Sequence, residues 1–268
     1  MKKFPVTVHT IVKNEDQFVW YALKSVLPFV ESAIIYDTGS EDKTVACIND
    51  LIKNIKGVNI TFKQRSIANP QEVSKLREEQ IKQTKTPWLF LLDGDEIWSS
   101  KQLISLLQLI KEVPKETLAI VNRTRNCVGD IWHYLPEPFG KYTFMGKIGH
   151  FNIRLMRRVA YRLEGIYPNE VYTFRGEPVN NLDDNLVFSD TWYLHATHLS
   201  RTSLATDSAF GRRKKVFSNG IAMSKPELPE VLFQDKPALI PSVTARRPLS
   251  YEVESRVVDI VRAFKPNE

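Results

Sequence analysis

The sequence predicts an α/β fold in which a mostly parallel central sheet is flanked by helices. Strand-like and helix-like segments alternate through about the first hundred residues, the rhythm of parallel strands joined by helical crossovers. The most apolar run, Trp88-Leu89-Phe90-Leu91-Leu92, is short and ends in carboxylates, as a central buried strand does. A length of 268 residues with 43% hydrophobic side chains supports a substantial core.

Val6 to Val12 reads as the first strand, and Gln17 to Val26 carries apolar groups at helical spacing after the polar Asn14 and Asp16. Ser32 to Tyr36 reads as a second buried strand. Asp37-Thr38-Gly39-Ser40 then forms a turn in which Gly39 can take a positive φ and Ser40 stands where a helix cap is needed. Glu41 and Asp42 suit the positive end of that helix, which is predicted to run to about Ile55 and stop at Gly57. Val58 to Phe62 is the third strand. Asn69-Pro70-Gln71-Glu72 has the composition of a helix start, with Asn69 as cap, Pro70 in the first turn and Glu72 closing a capping box; the helix continues to about Thr84.

After the apolar strand, Ser99 is placed to cap a helix over Lys101 to Glu112, and Leu118 to Arg123 reads as a further strand. The pattern then weakens into short strands around Phe151 to Arg157, Ala160 to Leu163 and Thr191 to Leu194, with Pro136, Pro138 and Gly140 marking loops. Ser250 to Phe264 is predicted as a final amphipathic helix with Arg256 and Arg262 on its polar side.

Composition removes several classes of function. No apolar run approaches the length of a bilayer span, and the stretch after Met1-Lys2-Lys3-Phe4-Pro5 is too broken by Thr7, His9 and Thr10 for a secretion signal. Cys47 and Cys127 are too few for a disulfide framework or a metal cluster, so a reducing cytoplasm is expected. The net charge of +6 suits anionic ligands or an anionic surface without requiring nucleic acid.

Acidic groups fall where the chain leaves consecutive strands: Asn14-Glu15-Asp16, Asp37 and Asp93-Gly94-Asp95. A parallel sheet gathers these at one edge, where ligands of open α/β sheets bind. Two carboxylates separated by one small residue suit a hard divalent cation such as Mn²⁺ or Mg²⁺, with Gly94 allowing a sharp turn. Taken alone, the triplet is common in loops; Glu96-Ile97-Trp98 does not continue a calcium-binding loop.

Three stretches together, Ile11-Val12-Lys13-Asn14-Glu15, Ile34 to Thr44 around Asp37-Thr38-Gly39-Ser40, and Phe90-Leu91-Leu92-Asp93-Gly94-Asp95-Glu96, resemble the family 2 glycosyltransferases of GT-A fold. The resemblance covers residues 5–100 and thins beyond. It implies one GT-A-like domain over 1–268, with 1–98 as the nucleotide-sugar-binding half and 99–268 as an irregular acceptor-binding half that includes the C-terminal helix.

Residue by residue, the resemblance implies that Asp37 meets the nucleobase of a nucleoside-diphosphate sugar, with Asn14 and Glu15 beside it. Arg77 matches an arginine near base and phosphates, although its neighbours depart from the family's Ala-Arg-Asn. Asp93 falls near the ribose, and Asp95 on a divalent metal bridging the diphosphate. Such a metal, with basic side chains, stabilises the departing diphosphate more in the transition state than before it.

In-line displacement with inversion needs a carboxylate base from the second half. Glu170 is the candidate, since some relatives carry a glycine followed shortly by His-Glu; here Asn169 stands where the histidine is expected, and Glu164 and Asp183-Asp184 compete. The plainer alternative is that Glu170 pairs with an arginine on the surface. His195 and His198 follow a predicted strand where enzymes of this fold recruit a metal-binding histidine; the alternative is a structural pair, and His150 reads as structural.

Arg201 and the run Arg212-Arg213-Lys214-Lys215 fit either a solvated helix face or a segment over the diphosphate, or one resting on an anionic membrane. The latter places the protein at the inner face of the membrane, with a glycan, lipid-linked or other hydroxyl acceptor. Trp132, Tyr134, Phe139, Tyr142 and Phe144 suit either stacking on an acceptor sugar or packing within loops.

Two other classes compete. A sugar nucleotidyltransferase opens with a glycine-rich phosphate loop, whereas Lys13-Asn14-Glu15-Asp16 has no glycine. A non-catalytic nucleotide-sugar or nucleic-acid binding protein would rely on Arg212 to Lys215, but no nucleic-acid motif or aromatic platform accompanies that run, so nucleic acid is not the expected partner.

Overall fold

The computed structural model describes residues 3–67, 69–204 and 216–263. β1 (Phe4–Val12) leads through α1 (Val19–Val26) to β2 (Val30–Asp37), which leads through α2 (Thr44–Asn54) to β3 (Asn59–Gln64); α3 (Gln71–Gln83) then returns the chain to β4 (Trp88–Leu91). These strands are parallel in the spatial order β3-β2-β1-β4, because each crossover carries the chain back to the same edge before the next strand begins.

The remaining strands and α-helices are β5 (Glu96–Ile97), α4 (Ser100–Gln108), β6 (Ala119–Val128), β7 (Asp130–Tyr134), β8 (Tyr142–Phe144), β9 (Lys147–Gly149), β10 (Phe151–Arg157), β11 (Arg162–Glu164), β12 (Val171–Phe174), β13 (Glu177–Pro178), β14 (Leu186–His195), β15 (Ile221–Ala222) and α5 (Leu249–Ala263). β10 inserts antiparallel between β4 and β6, and β14 runs parallel to β6 and antiparallel to β5. The central sheet therefore continues past β4 into the second half, where the sequence pattern was weakest. Among the described residues no helix is long and apolar enough to cross a membrane.

Strand alternation assigns side chains to two cores. Phe90 and Leu92 join Val6, Val8 and Trp98 in one cluster, while Leu89 and Leu91 join Val121, Phe151 and Tyr161 in the other. A strand buried on both faces explains why Trp88 to Leu92 is continuously apolar. Each such fully buried side chain contributes about 1.5–3 kcal/mol relative to exposure. On the helix-covered side, the Gln80 amide donates to the Thr10 and Ile34 carbonyls at 3.0 and 2.9 Å, tying α3 to the sheet.

Helix starts differ in detail from expectation. Ser99 caps α4 by accepting from the Gln102 amide at 3.3 Å, as expected. Ser40 does not cap α2; Asp42 accepts from the Thr44 amide at 2.9 Å instead, because the Ser40 hydroxyl is engaged with Asp37. Asn69 does not cap α3 either: its amide donates to the Glu72 carboxylate at 3.1 Å.

Candidate active site

Register fixes the site. Val12 lies opposite Asp37, and His9 opposite Leu91, so β1, β2 and β4 release the chain at one edge of the sheet. A cavity of about 380 Å³ opens there, walled by Glu15, Asp93, Asp95 and Arg77 from the first half and by Glu170, His195 and Arg201 from the second. Asn14, Asp37 and His198 do not line it.

Asn14 and Asp37 instead build the loops beneath. Asn14 takes φ +54°, a conformation asparagine tolerates, and its Oδ1 accepts from the Glu41 amide at 2.8 Å. Asp37 Oδ1 accepts from the amides of Gly39 and Ser40 at 3.1 and 3.0 Å, and its Oδ2 from the Ser40 hydroxyl. Gly39 takes the expected positive φ, +92°. The Asp37 carboxylate thus holds its own turn, and the following Thr38 reaches the cavity wall.

Gly94 serves a purpose other than a positive φ. A Cβ there would lie 2.8 Å from Val12 Cγ1 and 3.1 Å from Glu15 Cβ and Cγ, so glycine lets the acidic turn close onto the first loop. Gly94→Ala is expected to cost about 1–3 kcal/mol by overpacking, read as a lowered Tm. An unchanged Tm would mean the two loops are not in contact.

Asp95 is 1% exposed and doubly countered: Oδ1 lies 3.3 Å from His195 Nε2, and Oδ2 accepts from Arg201 Nη1 at 3.0 Å. The same Nη1 is 3.2 Å from Glu15 Oε1. Burial pushes the Asp95 carboxyl up, but His195 and Arg201 outweigh it and hold it well below the usual carboxylate range. Burial alone would lower the His195 imidazole; Asp95 reverses this and raises it. The strand pairing delivers this contact, since His195 stands opposite Glu96. His198, past the end of β14, is buried elsewhere.

Arg154 and Glu96 were not foreseen. Arg154 Nη2 donates to Asp93 Oδ2 at 3.0 Å and also to Glu96 Oε1, and its Nε donates to the Tyr193 hydroxyl at 3.2 Å. An arginine set between Ile153 and Leu155 within the strand is the signal that could have found it. Burial pushes the Glu96 carboxyl up to about 7 despite Arg154, aided by nearby Asp93. A raised folded-state pKa stabilises the fold fully below the ordinary 4.5, and that increment is lost as pH rises to about 7. Glu96→Gln is expected to flatten the dependence of Tm on pH across this window. An identical slope in the variant would contradict the assignment.

Glu170 immediately precedes β12 and is 8% exposed at its side chain. Its Oε1 accepts from Arg77 Nε at 3.0 Å, and Oε2 is buried with no hydrogen-bond partner among the described residues. Arg77 Nη2 also stands 4.0 Å from Asp93 Oδ1, linking base candidate and acidic turn. Glu170 does pair with an arginine, but in the cavity wall rather than on the surface. Of its competitors, Glu164, Asp183 and Asp184 are exposed and do not line the cavity. Tyr142 and Phe144 line it, whereas Trp132 packs against Phe233 with centroids 5.8 Å apart. Arg212, Arg213, Lys214 and Lys215 lie outside the described residues.

The donor set fits a divalent cation of the Mn²⁺ or Mg²⁺ kind. Asp93, Glu96 and His195 each offer a ligand atom within 4.8 Å of the others, and the Asp95 to His195 contact brings a further carboxylate oxygen to the same imidazole. Arg154 and Arg201 neutralise these carboxylates in part.

The family model described as "Glycosyl transferase family 2" matches residues 7–169. Among solved structures, Staphylococcus aureus TarS (residues 1–349) is similar with TM-score 0.42 and 14% identity, over 59% of this chain and 47% of that one. Mannosyltransferase PcManGT from Pyrobaculum calidifontis, in complex with GDP-Man and Mn²⁺, gives TM-score 0.40 and 12% identity over 59% and 46%. Glucosyl-3-phosphoglycerate synthase from Mycobacterium tuberculosis, with Mn²⁺, UDP and glucosyl-3-phosphoglycerate, gives TM-score 0.43 and 11% identity over 72% of each chain. The chain spans about half the length of the first two. No curated protein sequence matches it.

Proposed function

The chain belongs to glycosyl transferase family 2, and from that premise we propose that it moves a sugar from a nucleoside-diphosphate donor to a hydroxyl acceptor with inversion at the anomeric carbon. The observation that carries this is the convergence, on one cavity, of Asp95, His195 and Arg201 with the buried, half-satisfied carboxylate of Glu170. Residues 1–98 are read as the half that holds the nucleotide sugar, and residues 99–268 as the half that admits a glycan, lipid-linked or other hydroxyl acceptor.

Asp93, Glu96 and His195 would hold the divalent cation, with the Asp95 carboxylate beside His195 as a further ligand. When bound, the cation supplies Lewis-acid charge against the departing nucleoside diphosphate. Arg201, already aimed at this point, donates hydrogen bonds to diphosphate oxygens as their charge grows. Glu170 takes the acceptor's proton at Oε2 while Arg77 fixes the carboxylate through Oε1. Tyr167 and Tyr172 narrow the cavity beside Glu170 and limit the water that competes with the acceptor.

The test is turnover of UDP-, GDP-, CMP- and dTDP-sugars with Mn²⁺ or Mg²⁺, followed by NMR of the product's anomeric configuration. The expected product has the configuration opposite to that of its donor. A retained configuration would remove Glu170 from the role of base in a single displacement.

A further inference from the structure

Arg201 lies beyond β14 in a stretch without helix or strand, yet its side chain is only 15% exposed and ends between Glu15 and Asp95. The backbone around it explains how an irregular segment holds so defined a position. The Arg201 carbonyl accepts from the Gln17 amide at 3.1 Å. The Thr202 hydroxyl donates to Asp42 Oδ2 at 2.6 Å. The Ser203 amide donates to Asp16 Oδ1 at 2.9 Å, and its hydroxyl donates to Asp16 Oδ2. Three consecutive residues are therefore fastened to the loop after β1 and the start of α2.

The two carboxylates are themselves fixed. Asp16 is 2% exposed, and its Oδ1 also accepts from the Gln17 side-chain amide at 3.0 Å. Asp42 Oδ1 accepts from the Thr44 amide at 2.9 Å, which seats it on α2. Neither Asp16 nor Ser203 lines the cavity.

We infer that Asp16 and Ser203 form a clasp that positions Arg201 for the donor's diphosphate, making them positioning residues of the nucleotide site. The inference rests on the proposed reading that Arg201 meets the diphosphate. Arginine has a long side chain of high rotamer entropy, and a backbone fastened immediately after its Cα lowers the ordering cost of each hydrogen bond it makes to a ligand. The clasp should therefore act on affinity for phosphate-bearing ligands and be silent toward the nucleoside.

Isothermal titration on the full chain tests this, using UDP, GDP, CDP and dTDP with Mn²⁺ and the matching nucleosides. Arg201→Gln and Ser203→Ala are each expected to weaken the preferred diphosphate by about tenfold, the scale of one hydrogen bond to a charged group, and to leave nucleoside affinity unchanged. The double variant is expected to be no weaker than Arg201→Gln alone, because the clasp acts through that side chain. Ser203→Thr, which keeps the hydroxyl, is expected to restore affinity. Ser203→Ala removes one hydrogen bond to buried Asp16 but leaves the Ser203 amide bonded to the same carboxylate, so the variant is expected to fold with Tm lowered by a few degrees. Unchanged diphosphate affinity in Ser203→Ala, equal weakening of the nucleoside, or full additivity with Arg201→Gln would each overturn the clasp. Failure of the parent chain to bind any of the diphosphates would instead overturn the functional reading beneath it.

Discussion

Asp95→Asn is expected to lower kcat/KM for the preferred nucleoside-diphosphate sugar by about 10³-fold and to abolish Mn²⁺ binding, with the fold retained. The side chain keeps its shape and one acceptor oxygen, so Arg201 retains a partner and also keeps Glu15 at 3.2 Å. What is lost is the charge that faces His195 and the cation. A second readout is independent of turnover: Asp95 raises the His195 imidazole, so in the variant His195 should titrate at lower pH by NMR. Full activity in Asp95→Asn would remove this carboxylate from the chemistry, and an unmoved His195 titration would remove the contact.

Glu170→Gln is expected to reduce kcat by about 10²–10⁴-fold while leaving donor affinity unchanged, the signature of a missing general base. Glutamine still offers Arg77 an acceptor oxygen, so the wall of the cavity survives. Glu170→Ala is the poorer test, since it strands a buried guanidinium, and breaking such a pair costs about 3–5 kcal/mol. Normal turnover in Glu170→Gln would place the base elsewhere, although Glu164, Asp183 and Asp184 are exposed and do not line the cavity.

How far these residues were legible in sequence depends on what places them. The convergence of Glu15, Asp93 and Asp95 followed from topology alone, because parallel strands deliver their ends to one edge. Trp88 to Leu92 announced its central place because a strand buried on both faces has no polar alternation to hide it. His195 was singled out together with His198; only strand register against Glu96 distinguishes them, and register across β5 and β14 is not written in local pattern.

Motif likeness points the Asp37 carboxylate at a nucleobase; what it does not show is that the same carboxylate also accepts from the amides of Gly39 and Ser40 and so holds its own turn. Arg154 escaped notice because its partners Asp93 and Glu96 belong to a turn far away in sequence, brought near only when β10 pairs with β4. The contacts of Thr202 and Ser203 with Asp42 and Asp16 are still more remote in sequence and lie in irregular chain, where no periodicity exists to read. The second half was underread for a related reason: its short strands β8, β9 and β11 to β13 are set by pairing partners rather than by their own apolar pattern.

The central claim is that this edge of the sheet grips a nucleoside diphosphate through a bound cation, and melting of the full chain with UDP, GDP, CDP and dTDP, each with and without Mn²⁺, tests it most directly. Saturation at about 100 times Kd adds about 2.7 kcal/mol to the native state, enough to raise Tm by several degrees. At least one diphosphate should raise Tm in the presence of Mn²⁺ and lose most of that effect without it or in Asp95→Asn. A Tm that no diphosphate moves, with or without the metal, would contradict the account.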